Sequence, residues 1–507
     1  MLLIGLLSLI LISSNNKSQE YKNIIHISIL IMLYMIIILN DSTSLTLINN
    51  GILIYNNTLF ITSYNWIIKN LIILLTIIYL IILYNYNNYY NKIASEYIIL
   101  IFFNIFGIFL FIDSINSLII FIAIELQSYT LYLITSTYYK NDKSVNIYSS
   151  KNGLIYFLLG SLASILILFG LTIIYNETGL INLIDLTYYL TISQDNISIN
   201  IILGFLLVFI GLFFKIGLAP LHNWLINIYT NAPTIVTIWI SILPKISILT
   251  FILTLNYLFG NIYNIYYLNI FFQSFIILSM IFGGLGGLPQ FNLKRILAYS
   301  GLANSGYILL SIWSNNQYTI FTYLFYIIQY SITHFIIFMS IIFIIMYYNN
   351  WLIFRRSYDN NKYSAPLSNI YLIDLINIIS YNKSLAMIFI ICLTSFMGLP
   401  PLLGFYGKYY ILISSLLSGY WFTSILLIII SFVTAYYYGY IIKMIFTNTI
   451  NDQKIFKSEL MNNNITHNSN YIYSYIISLL SIIILFPLLY LDIFQNGIIL
   501  INYLNII

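Results

Sequence analysis

The stretch "FFKIGLAPLHNW", residues 213–224, decides how this chain is read. Lys215 stands inside an apolar run, and Gly217, Pro220 and His222 interrupt that run a few residues later. The meaning of the interruption depends on the solvent around it. The 507 residues are 61% hydrophobic and 7% charged, with a mean hydropathy of +0.92. So little charge cannot cover a water-soluble domain. Apolar runs of about 20 residues, the length that crosses roughly 30 Å of hydrocarbon, recur along the chain. The period-two alternation of a membrane barrel is absent. The fold class is all-α: a polytopic membrane protein whose backbone polar groups are satisfied inside helices.

Runs bounded by polar segments lie near 2–14, 24–40, 70–86, 96–112, 115–138, 152–175, 200–229, 233–258, 267–287, 292–313, 318–347, 384–417, 421–446 and 471–491, about fourteen transmembrane helices. Residues 41–69 are too polar to span and are expected on the outer surface. Fifteen of the 19 Lys and Arg residues, from Lys17 to Lys457, fall in loops that follow odd-numbered runs. One, Lys69, falls after an even-numbered run. Basic loops mark the side from which a chain was inserted, so both termini are expected on the opposite side.

Three lysines remain, Lys215, Lys245 and Lys408, each expected near the middle of its helix, and Glu125 is the acid well inside one. A charge at the centre of a membrane helix costs roughly 2.5–3.5 kcal/mol on insertion scales. Snorkelling competes as an explanation, but the interface is about 15 Å from mid-helix. A purely structural buried Glu125–Lys215 pair also competes, and it leaves two further lysines unexplained. Proton transfer accounts for the whole set, since intramembrane ionisable chains mark proton relays.

"GLAPL" (217–221) interrupts the seventh run and "GLPPL" (398–402) the twelfth. Proline removes a backbone donor, and non-helical backbone at membrane depth is tolerated where it faces protein or a wet cavity. Pro220, Pro400 and Pro401 are therefore read as helix breaks, and Pro244 as a kink beside Lys245. Gly217 and Gly398 lie 181 residues apart, and the same offset carries the fifth run onto the tenth. Five helices is an odd number, so the two copies are inverted, a common transporter arrangement. The expected units are residues 1–95, a first repeat at 96–258, a second at 267–446 containing an insert at 348–383, and a C-terminal part at 447–507.

A single cysteine, Cys392, cannot hold an iron–sulfur cluster. No nucleotide-binding glycine motif is present, and "FGGLGG" (282–287) is read as close helix approach or a turn. No metal site is expected. The start "MLLIGLLSLILIS" lacks a basic n-region, so no cleaved leader is expected. Heavy use of Ile, Asn and Tyr, 49 of the last, suggests translation from an AT-rich genome and hence a mitochondrial gene product.

"FIAIELQSYTLYL" (121–133), "KIGLAPLHNWLINIYTNAPT" (215–234), "NLKRILAYSGLANSGYILL" (292–310) and "MGLPPLLGFYGKYYIL" (397–412) resemble the antiporter-like membrane subunits of respiratory complex I, over roughly residues 96–446. The resemblance implies a Glu125–Lys215 pair, a central Lys245 and an outlet Lys408, with His222 and His334 as further candidate relay members, each with a competing structural role as a local hydrogen-bonding group. It implies proton pumping driven by quinone reduction elsewhere, with NADH, FMN, iron–sulfur clusters and ubiquinone held by partner subunits and no cofactor in this chain. It also implies the mitochondrial inner membrane, termini on the intermembrane-space side, other membrane-arm subunits and lipids as partners, and no nucleic acid. Where the family often has proline and an acid after "HNWL", this chain has Ile226 and Asn227. The competing reading is a cation/proton antiporter subunit, which would want more buried oxygen ligands than one deep acid supplies.

Overall fold

A computed structural model of the chain describes residues 2–15, 21–41, 51–90, 95–136, 143–192, 198–259, 266–358, 370–376, 378–447 and 471–487. The chain runs through α1 (Leu2–Asn15), α2 (Tyr21–Leu39), a hairpin of β1 (Ile52–Ile54) and β2 (Leu59–Ile61), α3 (Ser63–Tyr90), α4 (Ser95–Asp113), α5 (Ser117–Ser136) and α6 (Lys143–Thr178). A short α7 (Leu183–Ile192) precedes α8 (Ile199–Ile216), α9 (Asn223–Asn231), α10 (Thr234–Phe259), α11 (Tyr266–Gly286), α12 (Leu293–Trp313) and α13 (Thr319–Tyr358). Then come α14 (Ile378–Tyr381), α15 (Lys383–Met397), α16 (Leu403–Leu417), α17 (Trp421–Phe446) and α18 (Tyr471–Leu485). Among the described residues 11 helices are long and apolar enough to cross a membrane. Leu2–Ser13, Lys383–Met397 and Ser474–Leu485 are shorter apolar helices that account for the remaining runs.

Several expectations need correction. Of the segment 41–69, residues 63–69 belong to a spanning helix, because α3 already begins at Ser63, while Ile52 pairs with Ile61 in a short hairpin ahead of it. Lys69 is thus two turns inside a helix, buried and paired with Asp113 at the end of α4. The single basic residue counted on the opposite side is not in a loop at all. Lys294 also lies within a helix, in the first turn of α12, where its Nζ donates to the Ala232 carbonyl at 2.7 Å. In the insert, α13 continues to Tyr358, and Ile370 and Leu372 bond backbone to backbone with Leu293 and Phe291. That part of the insert supports the start of α12; residues 359–369 lie outside the described residues.

Both breaks form, and in the same way. Gly217 adopts φ 77° and Gly398 φ 86°, left-handed values that cost a side chain about 1–2 kcal/mol. The Gly217 and Leu218 amides both donate to Phe213, and the Gly398 and Leu399 amides both donate to Thr394. The two helix ends therefore close with one hydrogen-bond pattern, 181 residues apart. Pro244 leaves α10 continuous. The carbonyl it orphans, that of Ile240, accepts the Tyr229 hydroxyl at 3.4 Å instead.

Helices α10, α12 and α13 form the interior, with their apolar windows 100%, 94% and 89% buried. Glycines let neighbours approach them closely. A Cβ on Gly283 of α11 would meet the Ala303 backbone nitrogen at 2.4 Å, so "FGGLGG" is a helix contact ending in a turn. Gly170 and Gly211 do the same between α6 and α8, meeting Gly204 and Ala163 carbonyls at 2.6 and 2.8 Å.

Candidate functional site

Lys215 is the penultimate residue of α8, just before the first break, and so stands at the end of a helix rather than its middle. Its Nζ donates to Glu125 Oε1 on α5 at 2.8 Å and lies 3.4 Å from the Ser128 hydroxyl. Both side chains are buried. Beside the pair is a cavity of about 20 Å³, lined by Gln127, Ser128, Lys215, Trp224 and Pro244 among others. That volume holds one water. Among the described residues the buried Trp224 indole nitrogen has no hydrogen-bond partner. On the Pro244 side, Gln127 Nε2 donates to Ser247 at 2.8 Å, which extends the polar surface one turn along α10.

Lys245, 3% exposed, stands at the centre of α10. Its Nζ donates to the Gly301 carbonyl of α12 at 3.0 Å and sits 5.9 Å from the Tyr330 ring centre on α13. A Cβ on Gly301 would lie 3.2 Å from Lys245 Nζ, 3.3 Å from the Tyr330 hydroxyl and 3.7 Å from His334 Nε2. Gly301 is therefore the floor of a three-sided polar nook, which no reading of the sequence identified. Among the described residues the ion pairs are Glu125–Lys215 and Lys69–Asp113, so Lys245 has no counter-ion there.

Lys408, in the second turn of α16, reaches back across the second break. Its Nζ donates to the Phe396 and Met397 carbonyls at 2.7 and 2.9 Å and lies 6.0 Å from the Tyr307 ring centre. Between Lys245 and Lys408 several buried polar atoms have no hydrogen-bond partner among the described residues: both ring nitrogens of His334, the Tyr307 and Tyr330 hydroxyls, Asn304 Nδ2 and Gln329 Oε1. Each such group left dry costs about 1–3 kcal/mol, so their clustering marks a hydrated stretch.

The two histidines differ. His222 Nδ1 donates to the Pro220 carbonyl at 3.2 Å, and its ring packs on Phe282 5.3 Å away, so it is occupied by the break itself. His334 is 1% exposed and sits in the nook with Lys245. Asn227, where an acid was looked for, accepts a hydrogen bond from Thr230 with its backbone carbonyl, and its side chain joins no ion pair. The structure thus brings Lys245 and His334 together, pairs Glu125 with Lys215, and sets Pro220, Pro400 and Pro401 at the two breaks.

Residues 114–434 match the family described as "NADH:quinone oxidoreductase/Mrp antiporter, TM". The chain is 32% identical to NADH-ubiquinone oxidoreductase chain 2 of Rhizopus oryzae over 467 residues, 88% of this chain and 85% of that one. It is 32% identical to NADH-quinone oxidoreductase subunit N of Rickettsia prowazekii, over 75% of this chain and 77% of the relative. Among solved structures, a chain of respiratory complex I from Thermus thermophilus superposes with a TM-score of 0.67 at 22% identity, covering 88% of each chain.

Proposed function

The chain belongs to the membrane family shared by NADH:quinone oxidoreductase and Mrp antiporter subunits, in its chain 2 or subunit N branch, and from that premise we propose how it moves protons. It is a proton-translocating, multi-pass membrane subunit of complex I. In the reading we favour it performs no redox step and carries no cofactor; electrons pass from NADH to quinone in partner subunits. It lies in the mitochondrial inner membrane among other membrane-arm subunits and lipids, with its termini toward the intermembrane space.

The relay runs Glu125, Lys215, Lys245, His334, Lys408. Glu125 holds a proton on Lys215, and separation of the pair frees that proton toward the water-sized cavity lined by Trp224 and Pro244. Lys245 accepts it and passes it, through the nook floored by Gly301 and the waters at Asn304 and Tyr307, to Lys408. Each transfer moves one proton between a nitrogen and an oxygen and leaves the donor ready for the next. The observation that carries this reading is the run of unpartnered buried polar atoms between Lys245 and Lys408, because a dry structural core would have satisfied them.

Two experiments test it. In native gels of the source membranes stained for NADH oxidation, peptides of this chain are expected in the large stained band; a small band without NADH activity would point to a free-standing antiporter. Lys245→Ala is expected to assemble yet lose most quinone reductase activity and coupled proton uptake. Unchanged pumping in that variant rejects the relay.

A further inference from the structure

The second buried ion pair plays no part in the row just described. Lys69 and Asp113 are 6% and 7% exposed and bonded to each other across α3 and α4. Asp113 Oδ1 has no hydrogen-bond partner among the described residues. The Tyr64 and Tyr323 hydroxyls are also buried and, among the described residues, have no hydrogen-bond partner by geometry. Tyr64 stands close enough to Asp113 to feel its charge, and Tyr323 lies beside Tyr64 and the Thr250 hydroxyl. One of these three atoms belongs to the acid itself and two to tyrosines near it, and their clustering marks a second hydrated stretch for the same reason as the first.

This pocket connects to the lysine row through α13. Tyr323, Tyr330 and His334 are seven and eleven residues apart, which places them on one face of the helix. Tyr323 and Tyr330 are two turns apart, about 10.5 Å along the axis, a gap that a short file of water bridges. Along α10, Ser247 and Thr250 carry hydroxyls from Lys245 toward the same end. Asp113 closes α4 one residue before Ser114, which pairs with Leu59 of the hairpin.

We propose that Lys69 and Asp113, with Tyr64 and Tyr323, form a second outlet beside the one at Lys408, through which a share of the protons leaving Lys245 reaches the membrane face where α3 and α13 begin. This rests on the relay reading of Lys245. The proton leaves the Lys245 ammonium, hops along the Tyr330 and Tyr323 hydroxyls and intervening water, each oxygen giving one proton forward as it takes one from behind, and lands on Asp113 Oδ1. The neutral acid loosens its hold on Lys69, which keeps its own proton. Asp113 then releases the proton to water on the hairpin side, and the ion pair re-forms.

The rival role is a structural bolt between α3 and α4, and one double substitution separates the two. Lys69→Met with Asp113→Leu removes both charges together and preserves packing, which is often neutral for stability. In purified whole complex reconstituted in vesicles, both the double variant and Tyr323→Phe are expected to keep NADH:hexacyanoferrate activity. Both are expected to lose quinone-coupled proton uptake by roughly twofold, since closing one of two exits leaves the route through Lys408 open. Full proton uptake in the assembled double variant, with Lys245→Ala inactive, overturns the outlet and leaves the relay standing. Full uptake in Lys245→Ala removes both. Should the double variant not assemble, Tyr323→Phe decides alone, since it deletes one unpartnered oxygen and no charge; unchanged pumping in it overturns the outlet.

Discussion

The Lys408 ammonium caps the Phe396 carbonyl from the far side of the second break, donating to it at 2.7 Å and to Met397 at 2.9 Å. The end of α15 leaves carbonyls that no helical amide reaches, and a cation there also meets the negative end of the helix dipole. Lys408→Met is therefore expected to destabilise the subunit by about 2 kcal/mol or more, each orphaned buried acceptor costing about 1–3 kcal/mol. Lys408→Arg is expected to retain most of that stability. Thermal inactivation of the isolated complex checks the difference; equal stability of the two variants would remove the capping role.

Glu125 and Lys215 hold each other at 2.8 Å in a buried site. Removing one partner of such a pair strands the other charge, at roughly 3–5 kcal/mol. Glu125→Gln should cut quinone reductase activity by at least about tenfold if that charge is part of the pump. The double variant Glu125→Gln with Lys215→Met should assemble better than Glu125→Gln alone and pump no better. Activity in reconstituted vesicles, beside band intensity on native gels, reads both.

Gly301 has no side chain to do chemistry, yet its replacement should be costly. A methyl at that position sits 3.2 Å from Lys245 Nζ and 3.3 Å from the Tyr330 hydroxyl. Gly301→Ala is expected to assemble with full NADH:hexacyanoferrate activity, while coupled proton uptake falls several-fold as water and ammonium are pushed from the nook. Wild-type pumping in this variant would mean the nook lies off the path.

Tyr229 donates to the carbonyl that Pro244 leaves free. Tyr229→Phe should lower stability by about 1 kcal/mol, seen as earlier thermal inactivation, with pumping per assembled complex nearly unchanged. A large loss of pumping without loss of stability would instead put Tyr229 in the relay.

Much of this was legible in the sequence because membranes punish exceptions. Apolar runs gave the helices, and Glu125, Lys215, Lys245 and Lys408 stood out against them. The paired G-L-x-P-L stretches foretold two breaks that close with matching hydrogen bonds. What stayed hidden depends on partners distant in sequence. Lys69 follows the polar "NNTLFITSYNW", so it reads as loop, and only the folded chain brings it to Asp113, 44 residues on. Lys294 was masked by its place in the first turn of α12, beside Arg295. The role of Gly301 is carried by a backbone carbonyl, which composition cannot flag. The hairpin and α7 are too short for periodicity to register.

The enclosure of α10 has a further consequence. Its window is buried along its whole length, whereas those of α6 and α17 are 33% buried within this chain. Acyl chains and neighbouring subunits can therefore touch α6 and α17, while Lys245 is enclosed by the described residues of this chain itself. Swapping the surrounding lipids for shorter, longer or differently charged ones should alter how the subunit sits among its neighbours and leave the chemistry at Lys245 as it was.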